Sequence, residues 1–333
     1  MTIVTGAGGW LGRAMSRDLA TAPEQVRLST LNFGERAQAS ALAPNAEILV
    51  GNLLDSGAIE TLMAGAEGAD IIHAASVIHP AEISDFERIN VGITRSLVEA
   101  AVLSKARRFV YVSSNSPFGF NPTPEDAFRS NDAYSPYLGY GRSKMEAEMI
   151  TKTLAETDVE FVIIRPPWFY GGFQPQRQSE FFSTVRKGRF PVIGDGSNLR
   201  SMVSVESLAT GIRQAQLSEK AAGRCYWLAD AEPYTFLHVV ETLKQALEME
   251  GLTTSARIPR VPHVVPATAR LLDKTMQRRG RYSQSIHVLG ELDMNIACSP
   301  LEAETDFGFE PSNDLLCGLR RSIAWALASG AAI

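Results

Sequence analysis

A tyrosine and a lysine four positions apart could perform acid/base chemistry. Tyr140 and Lys144 are separated by Gly141, Arg142 and Ser143, and a helix through this segment would place both on one face. A phenol with a reference pKa of about 10 is a poor base at neutral pH, but a neighbouring ammonium favours the phenolate. This spacing also arises by chance, so it predicts proton transfer only if other elements bring the pair to a cofactor and a substrate.

A pair of serines ends the strand that we predict before this helix. Residues 108–113 are rich in β-formers, and the run closes with Ser113 and Ser114. A hydroxyl at this position could hydrogen-bond a substrate oxygen and hold it toward Tyr140. Successive strand residues face opposite sides of a sheet, so only one of the two serines can point into a site. The alternative is a pair of solvent-facing serines.

A glycine-rich loop lies between the first predicted strand and the first predicted helix, at positions 5–12. In such a loop Gly6 would allow the tight turn, Gly9 would let the backbone approach a pyrophosphate, and Gly12 would let helix and strand pack closely. The helix N-terminus would attract the anion. The alternative is a loop without a ligand, but the strand–loop–helix context favours a dinucleotide site, to which we assign Gly6, Gly9, Trp10 and Leu11.

The identity of the dinucleotide depends on the end of the second strand. Leu31 and Asn32 occupy the region where an Asp or Glu would bind the ribose 2′-hydroxyl of NAD. The missing carboxylate, with Asn32 and Arg36 nearby, favours NADP, although a solvated Arg36 leaves NAD open. After the third strand, Asn52 and Leu53 are candidates to cover the adenine.

The order of elements predicts an α/β fold with a doubly wound parallel (Rossmann) sheet and a smaller, mostly helical C-terminal lobe. We predict a dinucleotide-binding domain over residues 1–165, with return segments near 200–230, and a substrate-binding lobe over residues 166–333. The predicted strands lie at 2–5, 25–31, 48–50, 70–73, 108–113 and 160–165, and the predicted helices at 11–20, 86–104, 140–156, 179–187, 205–217, 236–250 and 312–328.

Composition limits the classes of function. The chain of 333 residues carries a net charge of −5 and has no block of Lys and Arg, which argues against a nucleic-acid partner. Its apolar runs are too short for a membrane span, and no signal-peptide pattern opens the sequence. Three widely spaced cysteines give no metal-ligand pattern. We expect a cytoplasmic enzyme with a small-molecule substrate, no bound metal and no membrane partner.

Together these motifs make the sequence similar to the extended short-chain dehydrogenase/reductase family, which includes nucleotide-sugar epimerases and 3β-hydroxysteroid dehydrogenases. The resemblance covers nearly the whole chain. The matching positions are 5–12, 71–75, 90–94, Ser113 and Ser114 with Gly119, Tyr140 with Lys144, 165–171, 194–196, Arg200 and 299–311.

The resemblance implies a hydride passed between the nicotinamide and a carbinol or ketone carbon. In that scheme Tyr140 exchanges the hydroxyl proton and Ser114 orients the oxygen. Lys144 tunes Tyr140 and binds the ribose, while Asn90 orders the local backbone and a water near the lysine. Ala74, Ala75 and Pro167 correspond to positions that line the cofactor pocket. The family often forms homodimers through two helices per subunit, here within 86–104 and 140–157.

The reaction and substrate are less narrowly defined. Family 4,6-dehydratases carry Thr-Asp-Glu where this chain has Ser114-Asn115-Ser116, which disfavours dehydration and leaves an epimerase or a ketoreductase. Arg200 matches a position that holds a diphosphate in nucleotide-sugar enzymes, the alternative being a surface charge or a carboxylate partner. Residues 255–300 instead resemble the hydroxysteroid-dehydrogenase and ketoreductase branch.

The sequence therefore leaves three hypotheses: an enzyme for a nucleotide-linked sugar, an enzyme for an apolar ring compound, or an NAD(P) sensor without turnover. The intact set of Ser114, Tyr140 and Lys144 argues against the sensor. The residues that we expect to border the substrate are His79, Phe118, Trp168 and Arg200.

Overall fold

The first half of the chain alternates strands with helices. The computed structural model describes residues 1–123, 125–312 and 314–333. A π-helical turn, Phe86–Gly92, leads into the fourth helix. The elements up to residue 165 are β1 Thr2–Thr5, α1 Trp10–Asp18, β2 Val26–Thr30, α2 Phe33–Leu42, β3 Glu47–Val50, α3 Ser56–Met63, β4 Asp70–His73, α4 Ile93–Leu103, β5 Arg108–Val112, α5 Leu138–Lys152 and β6 Glu160–Arg165.

The second half is mainly helical, with short strands between the helices. Three pairs of these strands form small two-stranded sheets: Met202–Ser204 with Trp168–Tyr170, Tyr234–Thr235 with Leu199–Arg200, and Arg260–Val261 with Val192–Ile193. The elements are β7 Trp168–Tyr170, α6 Gln176–Arg186, β8 Val192–Ile193, β9 Leu199–Arg200, β10 Met202–Ser204, α7 Val205–Leu217, β11 Arg224–Trp227, β12 Tyr234–Thr235, α8 Phe236–Met249, β13 Arg260–Val261, α9 Val264–Arg278, α10 Gln284–Glu291, α11 Leu301–Phe307 and α12 Leu315–Ala328.

Seven parallel strands form the central sheet, in the order β3-β2-β1-β4-β5-β6-β11. The chain winds outward from β1 in both directions, which confirms the predicted doubly wound α/β fold. In such a sheet the carboxyl ends of the two strands at the reversal, β1 and β4, flank a crevice where ligands bind. β11 returns to the sheet beside β6; the division into domains at residue 165 remains a prediction.

Helices cover both faces of the sheet, and each face has its own apolar core. Strands buried on both faces are close to continuous apolar runs, as in Phe109-Val110-Tyr111-Val112. The even positions of this strand pack with α1 and α7, and the odd positions pack with α3 and α4. A third core joins α6, α8 and α12 in the C-terminal half. Within the described ranges, no helix is both long enough and apolar enough to cross a bilayer.

Candidate active site

The glycine loop joins β1 to α1 at the crevice. Gly6 adopts φ +74°, and a Cβ there would lie 2.8 Å from the Ala75 backbone, so position 6 requires glycine. A Cβ at Gly12 would lie only 2.0 Å from the Gly6 carbonyl oxygen, which explains the close packing of helix on loop. The Gly9 amide donates to Gly6 O at 3.0 Å. The first amides of α1 have no intrahelical acceptor and can therefore receive a pyrophosphate.

The other residues predicted to hold a cofactor surround this loop in different ways. Trp10 Nε1 donates to Gly172 O at 2.6 Å, which ties the loop to the segment after β7. The Leu11 side chain is buried in the core, so only its backbone can meet a ligand. Ala74 and Ala75 are half-buried after β4 and Pro167 is buried after β6.

Two predicted cofactor residues, after β2 and β3, make local backbone contacts. Asn32 caps α2 by accepting from Glu35 N at 3.0 Å, and Asn52 Oδ1 accepts from Leu54 N at 3.1 Å in the turn after β3. Leu53 is mostly buried beneath this turn, and Arg36 is exposed. The structure thus leaves Arg36 available to solvent and engages the Asn32 side-chain oxygen in capping.

The structure separates the roles of the two serines after β5. The Ser113 hydroxyl donates to the buried Glu148 carboxylate at 2.5 Å. Ser114 faces the other way: its Oγ lies 3.3 Å from Ser116 Oγ, and its hydrogen bond with Tyr140 lowers the pKa of the phenol. Only Ser114 is placed beside Tyr140, as the alternation of strand residues requires.

Tyr140 is buried in the first turn of α5, and burial raises its pKa to about 12. Two groups oppose this rise, the hydrogen bond with Ser114 and the positive charge of Arg177 at the start of α6, whereas Glu291 adds to it. Arg177 is far from Tyr140 in the chain and belongs to no motif, so no sequence signal predicts it. The structure therefore assigns the cation facing the phenol to α6.

The Lys144 ammonium makes a different contact from the one we expected. Its Nζ donates to the Val112 carbonyl at 2.7 Å and lies 4.4 Å from the centre of the Tyr111 ring. Burial lowers the pKa of Lys144 to about 7, partly offset by Glu148. A buried ammonium must be hydrogen-bonded, and the carbonyl at the end of β5 meets that requirement. In this arrangement Lys144 is not the group that lowers the pKa of Tyr140.

Asn90 and His73 hold the backbone around the site. The Asn90 amide bonds Val77 at both ends, accepting from its N at 2.8 Å and donating to its O at 2.9 Å, and it also donates to Ser143 Oγ. His73 lies between the hydroxyls of Thr5 and Thr94 at 2.7 and 3.0 Å. Burial, reinforced by Lys144, lowers the pKa of His73 to about 3, so this imidazole is neutral.

An aromatic wall covers the Tyr140 ring. The Phe86 ring centre lies 5.9 Å from that of Tyr140 and 5.7 Å from that of Tyr282, which it meets edge-on. Tyr282 shares a 2.6 Å hydrogen bond with His79 Nδ1, and burial followed by the charge of Arg177 lowers the pKa of His79 to about 4. The structure thus joins His79 to the aromatic wall through Tyr282, and its predicted position at the substrate stays a prediction. Tyr282, between α9 and α10, has no sequence signal that would identify it.

The other predicted substrate residues differ in position. Phe118 was predicted to border the substrate, but it is almost fully buried. It packs against Phe128 and Trp227, with ring centres 5.8 and 5.1 Å away, because β11 brings Trp227 over it. It therefore belongs to the core. Trp168 is half-buried, and the Arg200 guanidinium lies 4.7 Å from its ring centre.

Arg200 is buried, which excludes the surface-charge alternative. Its Nη2 donates to the Glu291 carbonyl, while Nε and Nη1 have no hydrogen-bond partner among the described residues. Burial lowers the pKa of Arg200 to about 10, and Glu291 and Asp293 oppose that shift. A buried guanidinium with two unused N–H groups is suited to an anionic ligand.

The hairpin of α9 and α10 connects Tyr140 and Arg200 through polar contacts. Gln277 Oε1 accepts from the amide of Gly139, next to Tyr140, at 3.0 Å, and Gln277 Nε2 donates to Asp273 at 2.9 Å. Asp273 pairs with His287 Nδ1 at 2.7 Å, and the other ring nitrogen of His287 lies 3.8 Å from Glu291. In the described segments, no group of three or more His, Cys, Asp or Glu could hold a metal ion.

Comparison with known proteins gives relatives along the whole chain. An uncharacterized protein y4nL from Sinorhizobium fredii is 41% identical over 345 residues, covering 99% of this chain and 96% of the relative. A 4-hydroxy-2-methyl-3-oxo-4-farnesyl-3,4-dihydroquinoline-1-oxide ketoreductase from Stigmatella aurantiaca is 26% identical over 83% of this chain and 80% of its own length. Other relatives include epimerases and a dehydratase.

Solved structures share the fold. A dTDP-glucose 4,6-dehydratase from Streptomyces venezuelae with NAD bound superposes with a TM-score of 0.77, at 20% identity, over 98% of this chain and 97% of the other. Residues 2–226 match the NAD dependent epimerase/dehydratase family, and this match includes the glycine loop, the serines after β5 and α5. The resemblance found in the sequence is confirmed: the chain is an enzyme that belongs to the NAD dependent epimerase/dehydratase family.

Proposed function

We propose that this enzyme oxidises or reduces a carbinol or ketone carbon of a sugar-like, nucleotide-linked substrate, as an epimerase or a ketoreductase, with Tyr140 as its acid/base. The observation that carries the proposal is the pairing of Ser114 with Tyr140, at the same carboxyl edge of the parallel sheet at which the glycine loop follows β1. A hydroxyl that bonds the phenol can also bond the oxygen with which the phenol exchanges a proton.

The residues at the crevice fit a nicotinamide dinucleotide. Gly6 allows the tight turn and Gly12 packs closely against it, which holds the start of α1 at the crevice, where its free amides suit a pyrophosphate. When bound, the nicotinamide ring supplies or accepts the hydride of the redox step. Trp10 and Leu11 would contribute backbone amides, with Ala74, Ala75 and Pro167 as the neighbouring walls.

Each of the chain's own polar groups has a separate task in this proposal. Ser114 holds the substrate oxygen, Tyr140 gives or takes its proton, and Arg177 stabilises the phenolate form. Lys144 is the candidate donor to the cofactor ribose. Asn90 fixes the backbone at Val77 and the hydroxyl of Ser143, and so acts as a positioning residue.

Arg200 supports a nucleotide-linked substrate. Its two unpartnered N–H groups lie in a buried position beside the Trp168 ring, and a diphosphate would satisfy both. Dehydration needs a free carboxylic acid near the substrate oxygen, whereas this chain has Asn115 and Ser116 after Ser114. The buried Glu148 carboxylate, behind Ser113, is bonded to Ser113, Tyr134 and Arg165. We therefore propose an epimerase or ketoreductase.

An apolar ring substrate is the second candidate. The rings of Phe86 and Tyr282 form a wall beside Tyr140, and apolar walls with a few polar groups are typical of pockets for small organic ligands. The ketoreductase among the relatives is named for a farnesylated quinoline oxide. This candidate would leave the unpartnered N–H groups of Arg200 unexplained.

Turnover of the cofactor tests the acid/base assignment. Oxidation of NADH or NADPH by simple ketones is expected from the wild-type chain and from Tyr226→Phe, which removes a phenol bonded to Asp306. Tyr140→Phe should abolish it. Equal rates in the wild type and Tyr140→Phe would contradict the proposed acid/base role.

Binding of UDP or TDP tests the substrate class. Either nucleotide should raise the melting temperature of the wild-type chain and of Arg321→Ala, which removes an exposed arginine from α12. Arg200→Ala should abolish the rise, and Arg200→Lys, which retains the charge without the bidentate geometry, should reduce it. No rise in the wild type would favour the apolar alternative.

We also propose a homodimer formed through α4 and α5. Val102, Leu103 and Met149 are exposed apolar side chains on these two adjacent helices, and burying them against a second copy would remove apolar surface from water. Sedimentation of the wild type as a dimer and of Leu103→Asp as a monomer is the expected result. A monomeric wild type would contradict it. A cytoplasmic location and the absence of nucleic-acid partners remain predictions.

A further inference from the structure

Glu35, in the first turn of α2, reaches back to the glycine loop. Its Oε2 accepts from the Leu31 amide, at the end of β2, at 2.8 Å. A Cβ at Gly8 would lie 2.3 Å from both Cδ and Oε2 of Glu35, so the carboxylate lies directly against the loop backbone. Glu35 Oε1 forms no hydrogen bond to any described residue. One carboxylate oxygen is therefore held by the protein and the other is free.

This position matters because of what the sheet topology places there. In dinucleotide-binding folds, an acidic residue at the end of the second strand bonds the ribose 2′-hydroxyl of NAD. In this chain Leu31 and Asn32 follow β2, and the Asn32 side chain caps α2. The strand end therefore has no carboxylate of its own, but the Glu35 side chain delivers one to the same place from the helix.

We propose that Glu35 binds the ribose 2′-hydroxyl and selects NAD over NADP. This inference rests on the proposed dinucleotide site and reverses the preference for NADP that the sequence suggested. A carboxylate accepts a hydrogen bond from a hydroxyl, whereas a 2′-phosphate brings a charge of about −1.5 to −2 and has no proton to donate at neutral pH. The two anions would repel each other at this short range.

The nearby arginines do not provide a compensating phosphate site. Arg13 lies close enough for the Glu35 charge to oppose the burial that lowers the Arg13 pKa, but its Nη2 donates to Phe173 O at 2.5 Å and its Nε to Gly9 O at 3.3 Å. Arg17 lies 3.6 Å from Glu206, on α7. Arg36 is the remaining cation next to Glu35 in sequence. It is exposed and makes no ion pair or side-chain hydrogen bond within the ranges that the structure describes.

Helix capping alone is the competing explanation. Asn32 and Glu35 have the spacing of a capping box, in which a glutamate returns to an amide before the helix. Capping accounts for the bond to Leu31 but makes no demand on the dinucleotide. The two explanations therefore differ in the NAD-to-NADP binding ratio, which capping would not change.

The test measures the equilibrium binding of NADH and of NADPH to the full chain, without substrate. Binding is detected by nicotinamide fluorescence or by calorimetry. The wild type should bind NADH at least about tenfold more tightly than NADPH, the size of one charge-assisted hydrogen bond. Glu35→Gln keeps an acceptor for Leu31 N and the fold while it removes the charge. It should lower the NADH preference by about tenfold or more. Glu241→Gln, an exposed glutamate on α8, is the control.

Four other outcomes would overturn the inference. Wild-type binding of NADPH as tight as that of NADH, or an unchanged ratio in Glu35→Gln, would show that Glu35 only caps α2 and would leave the proposed oxidoreductase intact. Tight NADPH binding that Arg36→Ala abolishes would establish the opposite selectivity. Binding of neither cofactor, in a chain with an unchanged melting temperature, would remove this inference and the proposed function together.

Discussion

The buried ion pair behind the serines after β5 gives the sharpest test of how this site is supported. The Arg165 and Glu148 side chains are 1% and 0% exposed. Three hydrogen bonds join them, from Nη2 to Oε2 at 2.7 Å and from Nε to Oε1 at 3.1 Å and to Oε2 at 3.3 Å. Ser113 and Tyr134 donate to the same carboxylate at 2.5 and 2.7 Å. We predict that Glu148→Gln will destabilise the protein strongly although the two side chains have nearly the same shape.

The size of the effect follows from the burial of both charges. Removing one partner of a buried pair leaves an uncompensated charge and costs about 3–5 kcal/mol. The NH₂ group introduced by Glu148→Gln would also face N–H or O–H donors, at a position where the wild-type carboxylate oxygen accepts hydrogen bonds. Since the total stability of a protein is about 5–15 kcal/mol, this variant should lose a large part of it. The measurement is the free energy of unfolding from urea titration, with the melting temperature from calorimetry.

A matched substitution lies on the same helix. Glu146 is half-buried, and burial and the neighbouring Glu87 carboxylate raise its pKa, so Glu146→Gln should change stability by less than about 1 kcal/mol. The double variant Glu148→Leu with Arg165→Met should be more stable than Glu148→Gln, because neither charge remains. A loss below about 1 kcal/mol in Glu148→Gln would refute the assignment of this pair as the support of the strand end.

Three further variants test the charges and contacts around Tyr140. Arg177→Gln should shift the pH profile of kcat/KM for alcohol oxidation up by roughly one pH unit, because the cation that lowers the pKa of Tyr140 is lost. Arg177→Lys should restore the wild-type profile. An unchanged profile in Arg177→Gln would contradict this prediction. Gln277→Met, which removes the acceptor for the amide before Tyr140, should lower kcat about tenfold with little change in KM, unlike a general loss of stability. Because burial lowers the pKa of His73 to about 3, only the unfolded chain binds that proton near pH 5.5. Between pH 7.5 and 5.5, the free energy of unfolding should therefore fall by about 1.4 kcal/mol more in the wild type than in His73→Gln. His263→Gln, at the surface, is the control. Equal pH dependence of stability in the wild type and His73→Gln would refute the prediction.

The strands of the sheet could be predicted well from the sequence. β1, β4 and β6 begin and end where the apolar runs do, because a strand covered on both faces needs an uninterrupted apolar segment. The helix predicted at 86–104 was right in extent but not in type. Its first turn, Phe86–Gly92, is π-helical, around the bonds of Asn90 to Val77. Apolar spacing carries no information about such a turn.

The side chains that surround the candidate site could be predicted only in part. Strand alternation predicts that only one of the two serines faces Tyr140, and the resemblance to the family, through the spacing to Gly119, implies that it is Ser114. Arg177 and Glu35 could not be predicted, because each reaches its place through a long side chain from an element outside the motif. Phe118 was assigned to the substrate as an aromatic residue in a loop, but its burial depends on Trp227, which the return of β11 to the sheet brings close.

The α9–α10 hairpin lies outside the part of the chain that matches the family, but it contacts the candidate site. The family match ends at residue 226, so it includes Ser114 and Tyr140 but not this hairpin. Yet the hairpin supplies Tyr282 to the aromatic wall, bonds the start of α5 through Gln277 and accepts from Arg200 through the Glu291 carbonyl. A change in the hairpin would therefore alter the aromatic wall, the surroundings of Arg200 and the position of Tyr140 together. Exchanging residues 264–291 with those of a relative should change substrate preference at constant cofactor binding, since no described hydrogen bond joins this hairpin to the glycine loop.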